Sequence, residues 1–81
     1  MAKHIITFGS NQIPEYPGNP MSIMLVIEAE SDAEAREPLF KDPFHGRFCT
    51  SYPYDEFADD FKRKYNMVEI TLDDLLKEMG K

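Results

Sequence analysis

The chain has 81 residues, with nine Lys/Arg against fifteen Asp/Glu for a formal net charge of −6, six Phe and four Tyr, one cysteine and no tryptophan. A lone cysteine excludes an internal disulfide, the acidic balance argues against direct binding to a phosphate backbone, and the length suits one domain, residues 1–81, with a thin core. Aromatic residues supply much of that core, which leaves little for a deep, enclosed active site.

The start, Met1 to Phe8, carries one Lys and lacks a sustained apolar stretch, so it does not read as a secretory leader. Lys3 to Phe8 alternates instead, with His4, Ile6 and Phe8 on one side and Ile5 and Thr7 on the other. That period of two predicts a strand, which Gly9 ends. Residues 10–22 hold Pro14, Pro17, Gly18 and Pro20 and predict an extended loop, long for so small a domain.

Ile23 to Glu30 predicts a second strand, central because it is apolar through Ile27. That apolar run is far too short to cross a membrane. Ser31-x-x-Glu34 follows as a capping box opening a helix through Ala33, Arg36 and Leu39-Phe40. Pro38 lacks the N–H that would bond back to Glu34, so a kink or an early end is expected.

Pro43 and Gly46 bracket a turn, Arg47 to Tyr52 predicts a third strand, and Pro53 stops it. Phe57, Phe61 and Tyr65 at i, i+4, i+8 mark one apolar stripe on a helix over Asp55 to Tyr65. Met67 to Ile70 predicts a short edge strand. Thr71-x-x-Asp74 caps a last helix with Leu72, Leu75, Leu76 and Met79 inward and Gly80 at its end. The expected fold class is α+β, a small three- or four-stranded sheet with helices packed on one face. The first two strands form an antiparallel pair, and the helix after the second serves as a parallel crossover. Strand order is not legible.

The residues His4-Ile5-Ile6-Thr7-Phe8-Gly9, Ile27-Glu28-Ala29, Glu34-Ala35-Arg36, Phe44-His45-Gly46-Arg47-Phe48, Tyr52 and Tyr65 to Ile70 form a series along most of the chain. It resembles a group of small bacteriophage proteins that read ITFG, a proline-bearing loop, EA…AR and a late aromatic strand. Pro38 departs from the uninterrupted helix expected after EAR. The resemblance implies an accessory protein in the cytoplasm of an infected bacterium, binding a host protein, with no catalytic residues carried over.

Four sets of residues are candidates for function. Cys49 with His45 is the nucleophile-and-base pair of a small thiol-dependent hydrolase or transferase. On one strand they would stand about 13 Å apart at roughly 3.3 Å per residue, so the pair needs His45 to fold back from the turn. The plainer reading is an inert thiol and a turn histidine. His4 and His45 with a carboxylate would be a metal site, but forty-one residues separate them in sequence and the close ligand spacing of structural zinc sites is missing. No cofactor signature is present.

The acids Asp55, Glu56, Asp59 and Asp60, with Glu69, Asp73, Asp74 and Glu78 further on, read either as a solvated face or as a surface for a basic groove on a partner. The cluster Lys62-Arg63-Lys64 follows them as helix C-terminal bases complementing the dipole. Tyr16, with Ile13 and Met21 among prolines, either docks a partner or folds over the sheet as a lid. Taken together the sequence points to non-catalytic protein binding through Tyr16 and the four acids, as a monomer or small homo-oligomer without membrane or cofactor. The rival to oligomer-free binding is an assembly component pairing through the edge at Met67 to Ile70.

Overall fold

The structure, a computed structural model, describes residues 2–9, 13, 16–41 and 44–80. Pro14 and Pro43, expected in a loop and a turn, lie outside the described residues. Strands β1 (Ala2–Thr7), β2 (Ile23–Ala29), β3 (Thr50–Pro53) and β4 (Val68–Thr71) form one sheet in the order β3-β1-β2-β4. Helices are α1 (Asp32–Arg36), α2 (Tyr54–Lys64) and α3 (Leu72–Glu78). The α+β class and the four-stranded sheet are as the sequence predicts.

β1 lies antiparallel to both β2 and β3, and β2 is parallel to β4. β2 and β3 therefore run the same way on either side of β1, and α1 begins a parallel crossover between them. β3 then crosses the whole sheet through α2 to reach β4. Crossovers overwhelmingly share one hand. Two of the same hand that travel in opposite directions along a sheet place their helices on opposite faces.

The helices are accordingly divided, not gathered on one face as the sequence reading had it. Ile6, Phe8, Ile23, Leu25 and Ala29 meet Ala35 of α1 and Leu75 of α3, joined by Met79, Leu39, Phe44 and Ile13. On the other face Ile5 and Met24 meet Ala58 of α2, with Val26, Tyr52, Tyr54, Phe57, Phe61 and Met67 around them. The register explains the sorting: Ile6 stands opposite Leu25, and Ile5 opposite Val26 and Tyr52. Alternate side chains of each strand enter opposite layers. A sheet only four strands wide thus buries both sides.

The local signals act as expected. Ser31 Oγ accepts from the backbone N–H of Glu34 at 3.2 Å, and Thr71 Oγ1 from that of Asp74 at 3.2 Å. α1 ends early, at Arg36, and the chain tightens into a 3-10 turn over Glu37–Phe40 with Pro38 near its start. The third strand begins at Thr50, three residues later than predicted, because the turn around Gly46 (φ +80°) continues to Phe48 through Phe48 N–H to Gly46 O at 3.0 Å. Asn66 takes a left-handed φ of +53° just after α2, a conformation asparagine tolerates.

Candidate functional site

α2 begins without a side-chain cap, since Pro53 occupies the N-cap position. Asp55 and Glu56 in its first turn and Lys62, Arg63 and Lys64 in its last complement the helix dipole instead. Its inner stripe is aromatic. Tyr52 lies 5.0 Å from both Phe57 and Phe61, and Phe57 stacks on Phe61 at 5.9 Å, centroid to centroid. With that stripe turned to the sheet, Asp55, Glu56, Asp59 and Asp60 all emerge in solvent.

Asp55 with Asp59, and Glu56 with Asp60, are like charges at i,i+4, each pair costing an isolated helix about 0.2–0.5 kcal/mol. Arg63 and Lys64 stand at i+4 from Asp59 and Asp60, yet among the described residues no ion pair joins any of the four acids. Lys62 is committed elsewhere: its Nζ lies 2.9 Å from Glu69 Oε1 on β4. The carboxylates therefore face outward as a band of negative charge that no described cation pairs.

Glu69 is the hub of a small polar tie between α2 and β4. Tyr54 Oη donates to Glu69 Oε1 at 2.6 Å and accepts from Lys62 Nζ at 3.4 Å. The Tyr54 hydroxyl, then the Lys62 ammonium, hold the Glu69 carboxyl below its ordinary value, and Glu69 and Tyr54 in turn raise Lys62. Lys3 sits 5.2 Å from the centre of the Tyr54 ring. Fifteen residues separate Tyr54 from Glu69, and no sequence pattern announces the contact.

His4 is buried on the α1 side of the sheet. Its Nδ1 lies 2.7 Å from Asp32 Oδ1 and its Nε2 3.2 Å from the Ala29 carbonyl. Both nitrogens face acceptor oxygens, so neither is directed at a metal or a substrate proton. His45 occupies a turn with φ +51° and is exposed. Cys49 is exposed too, and its backbone N–H donates to Thr7 O at 2.7 Å beside Gly9. It lines an apolar notch of about 330 Å³ with Tyr52, Phe61, Tyr65, Met67 and Met21, and His45 does not line that notch. Among the described residues no three His, Cys, Asp or Glu side chains cluster as metal ligands would. No helix is long and apolar enough to cross a membrane.

Tyr16 is half-buried and packs against the larger core, as a lid does, whereas Met21 stands 59% exposed. The Tyr16 N–H donates to Ile13 O at 3.0 Å, and the Tyr16 ring lies over Gly18, where a Cβ would meet the hydroxyl at 2.9 Å. Burial first, then the carboxylate of Glu78, pushes the phenol above its ordinary range. Tyr16 also borders a groove of about 600 Å³ that runs past Ile23 and β4 to Asp74, Lys77 and Glu78 of α3. The two expected binding features are thus separate: Tyr16 belongs to the face of α1 and α3, the four acids to the face of α2. No family model, characterised protein or solved structure matches this chain.

Proposed function

We propose that this protein is a non-catalytic binding module that docks a protein partner through the outer face of α2. The observation that carries the reading is the band Asp55, Glu56, Asp59 and Asp60, exposed and, among the described residues, without an ion-paired cation. Like charges on adjacent turns raise the free energy of the isolated chain slightly, and a basic surface on a partner relieves that strain on docking. Such a surface also accelerates encounter, because the field of four carboxylates adds to a net charge of −6. The resemblance to small bacteriophage proteins supports a host protein as that partner, met in the cytoplasm of an infected bacterium.

The test is capture from bacterial lysate by the immobilised protein and by an Asp59→Lys/Asp60→Lys variant. A stoichiometric basic partner that elutes with salt, and that the variant fails to retain while its circular dichroism is unchanged, supports the reading. Equal retention by the variant, or no stoichiometric partner, removes it.

A further inference from the structure

β4 is the last strand of the sheet, and among the described residues nothing hydrogen-bonds to its outer edge. The opposite edge is guarded: β3 ends in Pro53, which has no N–H to offer. β4 carries neither a proline nor a lysine, and Val68 at its start is 63% exposed. Half of an edge strand's backbone donors and acceptors point away from the sheet, a template for another strand.

The groove beside β4 singles this edge out. Val68, Glu69 and Ile70 line it consecutively. It opens over the start of the β2–β4 pair, where Ile23 stands beside Val68, and so lies next to the edge strand. Its apolar floor comes from Ile23 and Ile70, with Tyr16 along one wall. Asp74 and Glu78 on α3, both exposed, set against Lys77, the one cation among the described residues that line the groove, give its rim a negative balance. Its volume is about 600 Å³.

We infer that the outer edge of β4 binds an extended, lysine- or arginine-bearing segment of a protein partner as a fifth strand. Main-chain bonds to β4 hold the segment. Its alternate apolar side chains enter the groove over Ile23 and Ile70, and its cations face Asp74 and Glu78. A second copy of this chain is the poorer occupant, since it brings the same acids to the same rim. The inference goes beyond the α2 reading, because it concerns another surface, the sheet edge at β4 with α3 beside it.

The probe is a short capped peptide alternating valine and threonine with lysine and arginine, labelled for fluorescence anisotropy. Beside it run a glutamate-for-base counterpart and two versions N-methylated on alternate residues. Binding of the basic peptide is expected, with shifts confined in NMR spectra to the amides of Val68–Thr71 and the groove. One N-methylated version should bind about tenfold more weakly and the other nearly as well, since only one set of N–H groups faces β4. Asp74→Asn with Glu78→Gln should weaken binding several-fold, while Asp59→Lys/Asp60→Lys leaves it intact, which separates this inference from the α2 proposal. No binding by the basic peptide, equal binding by the acidic peptide, equal loss in both N-methylated versions, or a stable dimer built on β4 would overturn it.

Discussion

Replacing His4 by alanine separates a structural histidine from a ligating one. His4 is 9% exposed, and its imidazole bridges the Asp32 carboxylate at 2.7 Å and the Ala29 carbonyl at 3.2 Å. Truncation leaves a void between sheet and α1 and strips a buried acceptor of its donor, since Ala29 is only 1% exposed. An unsatisfied buried acceptor costs about 1–3 kcal/mol. The Asp32 side chain is 50% exposed, so water replaces the lost partner and that share stays below about 1 kcal/mol. The expected total is roughly 2–3 kcal/mol for His4→Ala, against about 0.5 kcal/mol for Asp32→Asn. In a domain of this size that lowers Tm by roughly 10–20 °C. Urea unfolding followed by circular dichroism measures both variants, with and without added zinc. A His4→Ala protein within about 0.5 kcal/mol of the parent, or a parent stabilised by zinc through His4, refutes the reasoning.

The polar tie at Glu69 predicts an acid-side dependence of stability. Its carboxyl is lowered in the folded chain, so its contribution is present above the ordinary value of 4.5 and lost as pH falls through the folded value. Exposure limits the size to a few tenths of a kcal/mol, about 0.3. Glu69→Gln should flatten the stability profile below pH 4.5 and leave neutral stability nearly unchanged; an undiminished acid limb contradicts the assignment. Tyr16 gives the alkaline counterpart. Its phenol is raised, so stability is full below 10.0 and falls as pH climbs through the folded value, a fall that Tyr16→Phe should lessen in alkaline denaturation. Gly9→Ala should cost about 1–2 kcal/mol, because φ is +55° and the new Cβ would lie 3.3 Å from Cys49 Cβ and Sγ. Adding Cys49→Ala should recover only part of that loss in thermal melts, since Cys49's Cβ and the backbone strain both remain.

What the sequence determined by itself is local. The caps at Ser31 and Thr71, the early end of α1 before Pro38, the left-handed exit at Gly80 and the inward stripe of Phe57 and Phe61 each depend on groups within a few residues of one another. The acid band on α2 was legible for the same reason, as helical spacing alone brings Asp55, Glu56, Asp59 and Asp60 to the outer surface. Only the tertiary structure decided the order β3-β1-β2-β4, the placing of α2 on the face away from α1 and α3, and the exposure of β4 beside its groove. It likewise decided that Tyr16 closes over the core and that His4 finds Asp32 twenty-eight residues away. Those outcomes depend on which strands pair and on which direction each crossover travels, and periodicity within a segment carries no information about either.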